Sequence, residues 1–279
     1  MDSSTAAATP RSTHPIFSIP GVTTRLVRGD GLHIKFTKGM YAHLLGSVLH
    51  YLCWHDGPGA HQAVEPCQRL ALVFTHVQLH DREHQTATRL TNLKLSMFTK
   101  TKTPHAAYAF LTAKGAECKH LAPALLSVCR SILDLGNIVD QHIVAALEKV
   151  SQLVDLFDAA SMFLKDEEYE AALRKAEDFL DSYDWLNKWA LEHERKLFHV
   201  TIKFHTFWHL VVNSKCLNPR FHWCFKSEDF VGRISHITHS VSMSVRSTRL
   251  SLKVSPKYRI MLHLRLTREG FGLILEDSD

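Results

Sequence analysis

The chain has 279 residues, of which 45% are hydrophobic, and a formal net charge of +5. This length and apolar content allow one large folded domain or two ordinary ones, and exclude a wholly disordered chain. No run approaches the roughly twenty apolar residues that span a bilayer, and residues 1–20 lack a secretory pattern, so we expect an intracellular protein without a membrane partner. The six cysteines have no paired spacing, which fits free thiols in a reducing compartment.

The amino-terminal part predicts a strand followed by a helix. Residues 1–14 are rich in Ser, Thr and Ala and are expected to form a disordered lead-in. Residues 21–29 alternate in polarity and are rich in β-branched side chains, which predicts a strand ending at Asp30. Apolar residues at helical spacing then predict a helix over 40–52. The local order is therefore strand, acid, helix.

The middle of the chain changes character. A helix is predicted over residues 66–80, and alternation over residues 92–99 predicts a second strand. Residues 122–194 show long helical periodicity and carry fifteen Asp or Glu against six Lys or Arg. We interpret this region as an acidic helical layer, either a solvated face or a charge-matched cover for a basic surface elsewhere in the chain.

The carboxyl-terminal part is strongly basic. Residues 203–268 carry twelve Lys or Arg and only two acids, Glu228 and Asp229. Such an excess of positive charge attracts polyanions, of which nucleic acid is the commonest. Helical spacing after residue 225 places Glu228 in the first turn of a helix, where the helix dipole favours an acid.

Several short motifs resemble those of plant-type CACTA transposases and their relatives in protist genomes. Residues 30–34, Asp-Gly-Leu-His-Ile, and residues 43–49, His-Leu-Leu-Gly-Ser-Val-Leu, are similar to an acid-x-Met-His motif and its downstream Leu-Leu-Gly block. Residues 203–210, 218–223 and 225–232 are similar to the family's His-Leu, Arg-Trp and Phe-Glu-Arg-Phe-Met-Gly blocks. The motifs follow the family's order along the chain.

The resemblance implies an α+β fold that is predominantly helical, with a partial RNase H-like core and a large helical insertion. The first part of the core would occupy residues 15–104, and an acidic helical insertion would occupy residues 105–198. The basic carboxyl-terminal part of the core would follow at 199–268, and an acidic tail at 269–279. The matched chain would be the carboxyl-terminal part of such a transposase.

The resemblance also implies a catalytic site. Asp30 and Glu228 would be the second and third acids of an Mg²⁺ site for DNA hydrolysis and strand transfer, with His33 beside Asp30. Two such carboxylates are expected within about 8 Å of each other, close enough to hold a metal pair. The first acid has no counterpart in residues 1–29, so Mg²⁺ is expected only if a third acid completes the site. We therefore expect a nuclear remnant or fragment of a transposase, inactive alone.

Two other functions are compatible with the residues. The first is a non-catalytic nucleic-acid-binding module that uses the basic carboxyl-terminal region. The second is a helical scaffold that acts through residues 122–194. DNA is the expected partner of the transposase and of the module. A homo-oligomer is left open, and no small-molecule substrate is expected.

The predicted nucleic-acid contacts are basic and aromatic side chains that can reach phosphates or stack on bases. They are Lys203, His205, Arg220, Trp223, Lys226, Arg233, Arg246 and Arg249. On a helix over residues 199–213, His205 and His209 share one face. For His205 and Trp223, ordinary packing is the open alternative.

Overall fold

The computed structural model describes residues 29–54, 65–99, 106–215, 217–242 and 249–268, apart from the side chains of residues 226–229, 242 and 251. Within these ranges the protein is predominantly helical, as predicted, and no described residue belongs to a β-strand. The helices are α1 (Met40–Trp54), α2 (Pro66–Glu83), α3 (Gly115–Ile132), α4 (Ile138–Ala159), α5 (Asp166–Glu192), α6 (Ile202–Val212), α7 (Phe225–Ser242) and α8 (Leu250–Arg268).

The strand predicted over residues 92–99 is wrong. Leu95–Met97 is a single turn of 3₁₀ helix, and the alternation in polarity has a different cause. Leu93 is buried while Lys94 is exposed, so one side of the segment faces the core. Its backbone bonds are isolated, such as Thr112 N–H to Met97 O at 2.7 Å, and do not form a ladder. Alternating burial therefore marks an irregular peptide lying on helices.

The strand predicted over residues 21–29 cannot be compared in the same way, because only Gly29 is among the described residues. The lead-in at 1–14 and the acidic tail at 269–279 also lie outside them. Directly after Asp30 the chain enters a π-helical turn, Leu32–Phe36. The five cysteines that the structure describes are free thiols, in agreement with the sequence. No helix in the described ranges is long and apolar enough to cross a membrane.

The chain divides into two compact units, Met1–Trp223 and Cys224–Asp279. In the first unit, α1 is the central element, and thirteen of its fifteen residues are buried. The hydroxyl groups of Tyr41 and Tyr51 tie α1 to α4 by donating to Val150 O (2.9 Å) and to Asp140 Oδ1 (2.7 Å). These bonds satisfy the polar atoms that a fully buried helix brings into the core.

Gly46 lets another segment approach α1 closely. A Cβ atom at this position would lie 2.6 Å from the Leu111 backbone nitrogen and 2.8 Å from the Phe110 Cα. The Leu111 N–H donates to Ala42 O at 2.8 Å, which holds the segment against the helix. The Leu-Leu-Gly block identified in the sequence is therefore a packing feature of α1.

Helix α6 is held against α5 by aromatic rings. The Tyr183 and Phe204 ring centroids are 4.4 Å apart, and Phe179 packs edge-on against Phe207 at 5.8 Å. The four rings are buried. Because one side of α6 is fixed in this way, the orientation of its opposite, exposed side is also fixed.

The second unit contains α7 and α8, which pack on each other. Phe230 of α7 meets Tyr258 of α8 edge-on at 5.6 Å, and Ile237 and Val241 are buried. On α8 the partly buried positions recur at helical spacing, as Leu250, Val254, Tyr258 and Met261. The other described side chains of α8 are nearly all exposed.

Candidate nucleic-acid interface

Asp30 begins a helical turn. Its Oδ1 accepts from Leu32 N–H at 3.0 Å, and its backbone oxygen accepts from Ile34 N–H at 3.0 Å, the bonding pattern of a helix cap. Its Oδ2 pairs with His33 Nδ1. Asp30 and His33, the two residues of the sequence motif, are therefore in contact. The contact lies in a turn where the carboxylate already has a local structural role.

Lys203 closes the other end of this turn. Its Nζ donates to His33 O at 2.8 Å and to Lys38 O at 2.7 Å, with Thr37 O at 3.5 Å. Partial burial and the neighbouring Lys38 ammonium lower the pKa of Lys203. The ammonium group thus provides hydrogen-bond donors for the carbonyl groups at the end of the turn. The predicted phosphate contact of Lys203 would have to compete with these bonds.

The Asn-Pro-Arg block ends helix α4. The Asn218 side chain is buried, and its Nδ2 donates to the carbonyl oxygens of Phe157 (2.9 Å), Ala160 (3.3 Å) and Ser161 (3.1 Å). The last carbonyl groups of a helix have no partner within it, so an amide that gathers several of them stabilises the end. This block has a structural role that the sequence did not reveal.

Arg220 and Asp158 form a charged group at the same end of α4. The Arg220 guanidinium donates to the Asp158 backbone oxygen, and its Nε lies 3.8 Å from Asp158 Oδ1. Lys119 Nζ is 2.6 Å from Asp158 Oδ2. Asp158 therefore neutralises part of the positive charge that was predicted to contact nucleic acid.

Trp223 is half-buried against two lysines. Lys35 Nζ lies 4.8 Å from the centre of its ring, and Lys119 Nζ lies 4.9 Å from it, which are cation–π distances. Of the two interpretations of Trp223, packing is the one that the geometry favours. The sequence missed Lys35 and Lys119 because they are distant from residue 223 along the chain.

Lys35 is a buried amine. It is 1% exposed, and no hydrogen-bond acceptor is assigned to its Nζ. Burial and the Lys119 ammonium lower the pKa of Lys35 to about 7, and the Asp158 carboxylate opposes that shift. The amine is surrounded by the rings of Phe36, Phe157 and Trp223. These rings attract the cation but accept no conventional hydrogen bond from it. Burial therefore remains the main effect on the amine, and its pKa is low.

His205 and His209 share an exposed face of α6, as the sequence predicts. Their Nε2 atoms are 3.0 Å apart, and their rings are edge to face at 4.5 Å. At that distance one neutral ring donates to the other. The pair lies opposite the face that packs on α5.

Helix α8 carries the exposed basic surface of the second unit. On α8 the exposed basic residues are Lys253, Lys257, Arg259, Arg265 and Arg268; Arg249, directly before the helix, is also exposed, and the helix contains no acid. Residues 249, 253 and 257 are spaced four apart and so lie along one side. Lys257 Nζ makes a 3.3 Å contact with Ser240 Oγ of α7. We name the six basic residues of 249–268 the α8 basic surface.

The remaining predicted site residues differ in what the structure describes. Arg233 lies on α7 and is partly exposed. Arg246 and the side chains of Lys226 and Glu228 are outside the described residues, although the backbone of Glu228 is in the first turn of α7, as predicted. Asp30 and Glu228 belong to different units, so their expected pairing at a metal site stays a prediction.

Four of the predicted nucleic-acid contacts, Lys203, His205, Arg220 and Trp223, lie in the first unit and have partners within the protein. The α8 basic surface is different, because its charge is concentrated on one acid-free helix. Comparison of the chain with protein-family models, curated proteins and solved structures gave no match.

Proposed function

We propose that the chain binds DNA through the α8 basic surface, as a non-cleaving descendant or fragment of a transposase that acts in the nucleus. The observation that carries this proposal is the exposure of six Lys or Arg, five on α8 and Arg249 directly before it, in a segment without an acid. Each phosphate contact made by such a side chain releases counterions, so affinity falls steeply with salt. An α-helix also fits the DNA major groove, about 12 Å wide, with its basic side chains near the phosphates.

The charge contrast within the chain supports the same proposal. Residues 122–194 carry fifteen acids against six bases, whereas residues 224–268 carry nine bases against two acids. A polyanion is repelled by the first segment and attracted by the second. The basic segment is therefore the part of the chain that selects nucleic acid as a partner.

Binding can be tested by fluorescence anisotropy with a labelled DNA duplex over a range of salt concentrations. The variant Lys253→Gln/Lys257→Gln/Arg259→Gln should weaken binding by at least about tenfold and reduce the slope of log affinity against log salt by about 2.7. Both effects have the same cause, the loss of three phosphate contacts.

A matched control removes the same charge from the first unit. The variant Lys149→Gln/Arg174→Gln/Lys188→Gln changes surface residues of α4 and α5 and should retain the affinity and salt slope of the wild type. Equal weakening by both triple variants would show that net charge alone governs binding. No binding of the wild type at low salt would exclude the proposal.

Metal-dependent cleavage is the second candidate, favoured by the contact between Asp30 and His33, the two residues of the transposase-like motif. An RNase H-like core would supply the sheet that positions the acids. Asp30 and Glu228 would hold Mg²⁺, which would assist the hydrolysis of DNA. We place it second because Asp30 caps a helical turn and residues 92–99 are not a strand. Mg²⁺-dependent nicking of DNA that is lost in both Asp30→Asn and Glu228→Gln would reverse this order.

A further inference from the structure

We infer that His205 and His209 form a binding site for a divalent transition metal of the Cu²⁺ type on the exposed face of α6. The two residues are one helical turn apart, so their rings reach the same point above the helix surface. Their Nε2 atoms are 3.0 Å apart. Both side chains are exposed, so an ion can reach them from solvent.

The distance between the two nitrogens selects the geometry of the ion. With metal–nitrogen bonds of about 2.0–2.1 Å, nitrogens 3.0 Å apart subtend an angle of roughly 90–97° at the metal. This angle suits adjacent positions of a square-planar or tetragonal site, the arrangement that Cu²⁺ and Ni²⁺ prefer. A tetrahedral Zn²⁺ ion would need the nitrogens to separate to about 3.3 Å. Cu²⁺ is also the divalent ion that nitrogen ligands hold most tightly.

The protein prepares the pair for chelation. Phe204, Phe207 and Leu210 are buried on the opposite side of α6 and fix the helix in place. The Asn213 side chain donates to His209 O at 2.8 Å and supports the last turn. A rigid backbone reduces the entropy that two ligands lose when they bind one ion.

Metal binding requires a change of tautomer but no net release of a proton. In the free protein one Nε2–H donates to the Nε2 of the other ring. In the complex both Nε2 lone pairs point at the ion, so the shared proton moves to the Nδ1 of its own ring through solvent. Water molecules complete the coordination sphere, because the proposed site supplies two protein nitrogens.

Three further histidines follow one another at the same spacing, His76, His80 and His84, and the last two of them have a different geometry. The rings of His80 and His84 are stacked, with centroids 4.0 Å apart and an angle of 17° between planes. His84 Nδ1 donates a hydrogen bond to the backbone oxygen of His80 at 3.0 Å. Stacked rings do not converge on one ion, so this pair serves as an internal control.

The test is a titration of the full chain with Cu²⁺ by isothermal calorimetry. We expect His205→Asn and His209→Asn each to weaken the tightest Cu²⁺ step by at least about tenfold, because either change removes half of the chelate. The control His84→Asn should retain that step. Circular dichroism should be unchanged in all three variants, since the three side chains are exposed.

A spectroscopic measurement on the wild type keeps the proposal testable without any variant. With less than one equivalent of Cu²⁺, the electron paramagnetic resonance spectrum should show two imidazole nitrogens bound to the metal. One nitrogen or none would overturn the proposal. So would a loss below about tenfold in either α6 variant, or an equal loss in His84→Asn.

Discussion

Helices α1 and α8 have comparable lengths, 15 and 19 residues, and opposite surroundings. Nearly every side chain of α1 is buried, including the polar His43, Ser47 and His50. On α8, Leu252, Ile260 and Leu264 are 72%, 60% and 63% exposed. Apolar content does not by itself place a helix in the core. The number of elements that pack around the helix decides, and α1 is enclosed by its neighbours while α8 packs on α7.

This comparison predicts that the same substitution has different effects in the two units. Phe179→Ala in α5 removes a fully buried ring from the aromatic cluster and should lower the free energy of unfolding by about 4 kcal/mol. Phe230→Ala in α7 removes a ring that is 48% exposed and should cost about 1 kcal/mol. Thermal or denaturant unfolding measures both. Equal losses would mean that the two units bury their aromatic rings equally well.

Glycine substitutions should differ in sign. Alanine has the higher helix propensity by about 1 kcal/mol, so Gly232→Ala in α7, where a Cβ meets nothing within 4 Å, should stabilise the protein by roughly that amount. Gly46→Ala in α1 places its Cβ against the backbone of residues 110 and 111 and should destabilise by about 2 kcal/mol. Chemical denaturation of both variants tests the prediction. Stabilisation by Gly46→Ala would show that the segment is free to move away.

The buried amine of Lys35 should make stability depend on pH. Its pKa is lowered from 10.5 to about 7 in the folded chain, so between these values the unfolded chain binds more protons. The free energy of unfolding should therefore rise with pH from about 7 upward, by at most about 1.4 kcal/mol per pH unit, and this contribution should be flat below pH 7.

Variants isolate the Lys35 contribution from other groups that titrate in the same range. Denaturant unfolding from pH 6 to 9.5 should show a shallower rise for Lys35→Met than for the wild type. The control Lys253→Met, on exposed α8, should parallel the wild type. Parallel curves for Lys35→Met and the wild type would show that the amine is protonated in the folded state throughout.

Helices were predictable from the sequence because their periodicity is local. The patterns over residues 40–52, 66–80 and 122–194 correspond to α1, α2 and α3 to α5. The irregular conformation of residues 92–99 was not predictable. Alternating polarity indicates only that one side of a segment is buried, and a strand also requires a hydrogen-bonded partner. No local pattern distinguishes the two cases.

The contacts of the candidate site also fall into two groups, those between neighbours in sequence and those between distant residues. Asp30 with His33, and His205 with His209, are neighbours within one turn, so their contacts could be predicted from spacing. The bond from Lys203 to His33 O joins residues 170 apart and depends on how α6 packs. The partners of Arg220 and Trp223 are similarly distant, so the sequence showed that these residues were unusual without showing what they contact.

The amide of Asn218 affects how this chain is expected to evolve. It binds three carbonyl groups where α4 ends, so its loss would damage the fold whether or not the protein touches DNA. Selection for folding alone would then retain Asn218, whatever the protein binds. The presence of the Asn-Pro-Arg block is therefore better evidence for how α4 ends than for any activity of the chain.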